Sequence, residues 1–163
     1  MTFSASPMYA WVNPPPEFLE REIALFPNWL VWHLLISPRL EIDQTNVHNL
    51  GNDIYQVDLV VQNTGWLPTY ITQKALDKKL VKGCICEIQL PDSVTLITGK
   101  LREELGQLEG RAYKPSYPTR RQSDPTQDRA KVEWVVRGPA GSKVQLLARH
   151  ERAGVVRAEI ILA

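Results

Sequence analysis

Two hydrophobic periods divide the chain. Through residue 37 the apolar positions recur at helical spacing, with Leu19, Ile23, Phe26, Leu30 and Leu34 on one stripe. Asn13 followed by Pro14-Pro15-Pro16 suits a helix opening, and Glu17 and Glu20 favour its N-terminus through the macrodipole. Pro27 interrupts the stripe, which predicts two short helices or one kinked helix. Trp29 and Trp32 lie beside the stripe, so the second half of this lead-in is apolar nearly all round. Such a segment is expected to be covered on more than one side.

From Pro38 onward the period becomes two. Leu40 and Ile42 alternate with Glu41 and Asp43, and Tyr55, Val57, Leu59 and Val61 alternate with largely polar neighbours. The same pattern returns at Cys84, Cys86, Ile88 and Leu90, then at Val132, Trp134 and Val136. It appears again at Val144, Leu146 and Ala148, and at Val156, Ala158, Ile160 and Leu162. Weaker candidates lie over 94–98 and 103–109. One-faced alternation argues for antiparallel sheets packed on one another, and Gly, Pro, Asn and Asp clusters separate the runs. The pattern predicts a mainly β protein, an antiparallel Ig-like β-sandwich of seven or eight strands with an N-terminal helical segment. Gly138-Pro139-Ala140-Gly141 reads as a hairpin turn. Residues 1–37 read as a helical lead-in or linker from a preceding domain and 38–163 as the sandwich. A stretch rich in Pro, Ser, Thr, Arg and Gln predicts a long exposed loop over 111–128.

Composition narrows the function. The 163 residues suffice for one domain with a real core, and 19 basic against 18 acidic residues leave a net charge of +1. Nothing in that balance points to nucleic acid. No apolar run approaches the ~20 residues of a membrane span, and the N-terminus lacks the pattern of a signal peptide.

Candidate chemistry is sparse. His33, His48 and His150 begin neither an H-x-x-E nor an H-E-x-x-H pair, so no zinc site is expected in this chain. His33 reads as a packed or interface residue, His48 as a turn residue, and His150 as a capping or ion-pairing residue. Cys84 and Cys86 point to one face of a strand and read as small core residues. Asp43, Asn46, Asn49, Asn52 and Asp53 are oxygen donors of the type calcium prefers, but their spacing is not that of an EF-hand, and a polar hairpin is the expected reading. Trp66 and Tyr70 flank Leu67-Pro68 in a loop after a strand, where rings stack on a sugar or fold back over the sandwich.

Several segments, taken in order, carry a family resemblance. They are Ala10-Trp11-Val12-Asn13-Pro14-Pro15, Phe26-Pro27-Asn28-Trp29 and Asn63-Thr64-Gly65-Trp66-Leu67-Pro68-Thr69. Leu108-Glu109-Gly110-Arg111, Lys131-Val132-Glu133-Trp134-Val135 and Ala148-Arg149-His150-Glu151-Arg152-Ala153-Gly154 follow. Together they resemble the C-terminal region of bacterial zinc carboxypeptidases of the carboxypeptidase A-like family. That family's zinc ligands and catalytic glutamate belong to a preceding domain, and no stretch here matches its H-x-x-E motif. The resemblance therefore implies a non-catalytic accessory module, with zinc held by the parent enzyme's catalytic domain and none in this chain. It also implies export to the periplasm or beyond.

The expected partner is the preceding catalytic domain of the same polypeptide. It would dock on Trp29, Leu30, Trp32 and Leu34, a surface that also favours self-association. The alternative is a glycan- or cell-surface-binding module using Trp66 and Tyr70, with Tyr113 and Tyr117 as further rings. An independent hydrolase is the third reading, and the missing ligand spacing weighs against it.

Overall fold

The computed structural model describes residues 15–113 and 126–163, and the chain divides into two units, Met1–Ile36 and Ser37–Ala163. In the first, a 3-10 turn at Pro16–Phe18 leads into α1 (Leu19–Ile23), and α2 spans Phe26–Ile36. Pro27 is the second residue of α2, a position where its missing N–H leaves no hydrogen bond unmade. The break before it gives two helices and not one kinked one.

The second unit is an eight-stranded β-sandwich among the described residues. Its strands are β1 (Leu40–Gly51), β2 (Ile54–Asn63), β3 (Ile85–Gln89), β4 (Thr95–Thr98), β5 (Arg102–Glu104), β6 (Arg129–Arg137), β7 (Lys143–His150) and β8 (Gly154–Ile161). One antiparallel sheet has the order β1-β2-β6-β4 and the other β5-β3-β7-β8. These orders match the ABED and C′CFG sheets of an Ig-like sandwich. The two short edge strands are exchanged in sequence: β4 joins the first sheet before β5 joins the second.

The alternating faces meet between the sheets. Tyr55, Val57, Leu59 and Val61 of β2 are buried with Trp134 and Val136 of β6, against Cys86 and Ile88 of β3 and Val144, Leu146 and Ala148 of β7. Each large side chain taken from water there contributes roughly 1.5–3 kcal/mol. Trp134 also donates its indole N–H to the Lys100 carbonyl at 2.8 Å. Cys84 and Cys86 are free and fully buried, as core residues. A hydrogen bond with Cys84, together with burial, holds the Cys86 thiol protonated.

Several local expectations are corrected. The turn at 138–141 does not close a hairpin, because β6 and β7 belong to different sheets. Instead the Gly138 N–H donates to Asp53 and the Gly141 N–H to Leu162, so the turn carries the chain across the sandwich. The polar hairpin expected over Asp43–Asp53 is present: residues 44–51 extend β1, which turns at Asn52-Asp53 and pairs antiparallel with β2, with register shifts after Ile42 and Asn49. The strand expected over 103–109 is only Arg102–Glu104. A short helix, α3 (Gln73–Asp77), was not expected; the Thr72 hydroxyl caps it by accepting from the Ala75 N–H. Most of the loop expected over 111–128 lies outside the described residues, as do Asn13 and Pro14. No helix among the described residues is long and apolar enough to cross a membrane.

Candidate functional site

The docking residues expected from sequence lie on α2. No residue of that helix is buried, and it carries no Asp, Glu, Lys or Arg. Trp29, Leu30 and Trp32 are each a little over half exposed and Leu34 is 75% exposed. The rings of Trp29 and Trp32 both stand edge-on to His33, at centroid distances of 4.1 and 5.2 Å. His33 itself is exposed, and both rings belong to its own helix.

The two loop aromatics differ in environment. Trp66 is 53% exposed. Tyr70 is half-buried and its hydroxyl donates to Glu109 Oε1 at 2.9 Å. Burial, reinforced by the Glu109 carboxylate, raises the Tyr70 pKa above the usual phenol value. Tyr70 is thus committed to Glu109, and only Trp66 offers an open ring face. Tyr117 and the side chain of Tyr113 lie outside the described residues.

A buried amide organises the loop that carries both rings. Asn63 ends β2 and is fully buried. Its Oδ1 accepts from the N–H groups of Arg39 at 2.9 Å and Gly65 at 3.1 Å. Its Nδ2 donates to the carbonyls of Leu67 at 2.9 Å and Glu109 at 3.2 Å. Both side-chain donors and both acceptor lone pairs are thereby used. Two glycines close the junction by their lack of a Cβ. A Cβ on Gly65 would lie 2.7 Å from Pro38 Cα, and one on Gly110 would lie 2.5 Å from the Leu67 carbonyl. Thr69, also fully buried, accepts from the Leu108 N–H at 2.9 Å and donates to Gln107 at 2.7 Å. The β7–β8 turn reaches the same place, since the Ala153 carbonyl accepts from the Leu40 N–H at 2.8 Å.

A domain family described as a domain of unknown function, DUF8731, matches residues 39–161. The chain belongs to that family. The matched span contains the Asn63 junction and the whole sandwich, whereas α1 and α2 lie outside it. No curated protein matches the chain. Among solved structures, the chain is similar to the GAE domain of GGA2p from Saccharomyces cerevisiae. The identity is 12% and the TM-score 0.44, over 77% of this chain and 88% of that one.

Most other polar groups of the DUF8731 domain are accounted for by packing, although the buried Nε2 of His150 has no hydrogen-bond partner among the described residues. His150 is only 4% exposed, and its Nδ1 accepts from the Arg152 N–H at 3.1 Å, which caps the β7–β8 turn. Burial depresses its pKa, offset in part by the Lys82 carbonyl and Glu151. A hollow of about 310 Å³ beside it is lined by Lys82, Arg102, Arg149 and Glu151. Its two arginines already pair with Glu87, at 3.6 and 2.8 Å. His48 stands on β1, 3.9 Å from the buried carboxylate of Asp58, and not in a turn. Asp58 is held by Gln56 at 3.0 Å and Lys131 at 3.0 Å; these contacts outweigh its burial and lower its pKa.

The oxygen donors between Asp43 and Asp53 are strung along an extended strand and its turn. Asp43 pairs with Arg129 at 3.4 Å, and Asn49 accepts from the Gly51 N–H at 2.8 Å. No group of three or more His, Cys, Asp or Glu residues among those described is placed to hold a metal ion.

Sequence reasoning missed Asn63, His150 and Asp58 as buried polar residues. An Asn ending an apolar strand just before Thr-Gly was the available signal for the first.

Proposed function

We propose that this chain is a non-catalytic accessory β-sandwich of the kind that follows a zinc carboxypeptidase domain, which it supports or positions. One observation carries the reading. Three of the segments that resemble that family, far apart in sequence, meet at one hydrogen-bonded junction. They are the stretch from Asn63 to Thr69, the stretch from Leu108 to Arg111, and the β7–β8 turn ending at Ala153. This shared local structure supports reading the three segments together as one unit.

α2 supplies the docking element of this reading. An uncharged helix with Trp29, Leu30, Trp32 and Leu34 exposed is suited to an apolar, neutral groove of a folded domain.

The coding sequence upstream of Met1 tests the parentage. An H-x-x-E pair followed by a later His is expected there, and its absence overturns the proposal. The peptidase region so defined should bind this chain, and Leu30→Glu combined with Leu34→Glu should abolish the binding. Zinc bound one-to-one by this chain, with release of C-terminal residues from peptides, would contradict the non-catalytic role. The exposure of Trp66 favours a second reading, a glycan- or surface-binding module, which retention on polysaccharide columns tests directly.

A further inference from the structure

The turn between β7 and β8 is held by a group that changes charge near neutral pH. His150 ends β7 with its side chain turned inward and 4% of its surface exposed. Its Nδ1 accepts from the Arg152 N–H at 3.1 Å, which requires that Nδ1 carry no proton. The one proton of the neutral ring therefore sits on Nε2. A second proton has to enter at Nδ1, where it meets the Arg152 N–H donor against donor.

The surroundings give an imidazolium little in return. Nε2 is buried without a hydrogen-bond partner among the described residues. Within the turn Glu151 favours the charge and Arg152 opposes it, and the Lys82 carbonyl, on the approach to β3, also favours it. The continued register sets Cys84 opposite His150 on the β3 side, and Gly154 stands opposite it on β8. The hollow beside the ring adds Lys82, Arg102 of β5 and Arg149 of β7, and both arginines are engaged with Glu87. Burial decides the balance against the charged form. The closed turn is thus fully held above the ordinary histidine value of ~6.5 and loses that support as the pH falls below it.

The same turn holds two other parts of the fold. Ala153, next to Arg152, accepts from the Leu40 N–H at 2.8 Å, where the chain enters the sandwich. The Arg152 guanidinium reaches the Tyr70 carbonyl at 3.5 Å, on the loop that carries Trp66. Glu151 and Arg152 are themselves exposed, whereas Val144, Leu146 and Ala148 further along β7 are completely buried. Opening the turn gives up these few bonds while the core face of β7 stays packed.

We propose that His150 is a pH-sensitive latch: its protonation releases the Arg152 N–H, opens the β7–β8 turn and frees Leu40 from Ala153. The bonds of Arg39 to Asn63 and Thr64 remain, so the entry of the chain loosens without unfolding of the sandwich. The latch is a property of this chain and stands whether or not a peptidase domain precedes it.

NMR on the full chain between about pH 7.5 and pH 5 tests this. The Leu40, Arg152 and Ala153 amide resonances should titrate with the midpoint of the His150 imidazole. In amide exchange, Leu40 and Arg152 should be less protected than Val57 and Leu146, because they open locally. Their protection should fall by up to about tenfold per pH unit below pH 6.5. His150→Asn keeps an acceptor for Arg152 but does not titrate, and it should remove the pH dependence. His48→Gln, at the exposed histidine of β1, should leave it intact. Leu40 separates a latch from a simple cap: a cap moves Arg152 alone, and that result overturns the proposal. So does a Leu40 amide as well protected as Leu146 at every pH, or a response that survives His150→Asn. If His150→Asn does not fold, the wild-type titration decides, since a Leu40 midpoint that departs from that of His150 overturns the proposal equally.

Discussion

Asn63→Ala is the most searching perturbation of the sandwich, because one side chain is asked to satisfy four backbone groups from four places in the chain. Removing it leaves the N–H groups of Arg39 and Gly65 and the carbonyls of Leu67 and Glu109 without that partner. Gly65 is buried, so its N–H bears the full cost of an unmade bond, about 1–3 kcal/mol. Arg39 is exposed and Leu67 and Glu109 are partly so; water replaces part of what they lose. The sum expected is about 3 kcal/mol of unfolding free energy.

Urea denaturation followed by tryptophan fluorescence measures it, with Trp134 buried as the reporter and an unchanged m-value as the condition for comparison. Asn63→Asp sharpens the test. It keeps the acceptor but replaces the donor by a second oxygen facing two carbonyls, so the folded protein favours the protonated acid. The folded pKa is then raised above ~3.9. That variant should therefore be nearest wild type below about pH 4 and lose stability as the pH rises through its folded pKa. A loss under about 1 kcal/mol for Asn63→Ala would refute the assignment of Asn63 as the organising residue.

Three further outcomes are expected. Gly110→Ala drives a Cβ into the Leu67 carbonyl and should cost about 1–3 kcal/mol or more in the same denaturation assay. His150 has a depressed folded pKa, so its contribution is complete above the unfolded value near 6.5 and is lost as the pH falls below it. Between pH 7 and 5 the slope from this residue is at most about 1.4 kcal/mol per unit, and His150→Asn, which can still accept from Arg152, should flatten it. If the chain binds a glycan through its open ring, Trp66→Ala should abolish retention on the matching polysaccharide while leaving the denaturation midpoint within about 0.5 kcal/mol of wild type.

The strands of the core were legible because each buries one face and exposes the other, as at Tyr55, Val57, Leu59 and Val61. The second half of β1 was not. It is an edge strand in which Val47 is the one apolar residue from Gln44 to Asn49, so no period marks it. The turn at 138–141 misled for a different reason. Gly-Pro-Ala-Gly serves equally well for a hairpin and for an arch between sheets, and only the distant groups of Asp53, Val94 and Leu162 decide which. α3 is too short to show a period, and its mark was the Thr72 cap. At the candidate site, the segment around Asn63 was visible as a family-like stretch, but its chemistry was not. Two of its four bonds, to Arg39 and Glu109, reach 24 and 46 residues away.

The same junction bears on what kind of accessory role is proposed. A module tethered by a loose linker contributes only effective concentration. One that positions a neighbour must hold the start of its own fold rigidly. Residues 37–40 meet that requirement within the sandwich. The Arg39 carbonyl accepts from the Thr64 N–H at 2.8 Å, the Arg39 N–H donates to Asn63, and the Leu40 N–H donates to Ala153. Ser37 and Pro38 lie against Gly65 so closely that no larger residue fits there. Pinning these few residues to the end of β2 and to the β7–β8 turn leaves little freedom where the chain joins the fold. On the proposed accessory role, that stiffness favours positioning over tethering.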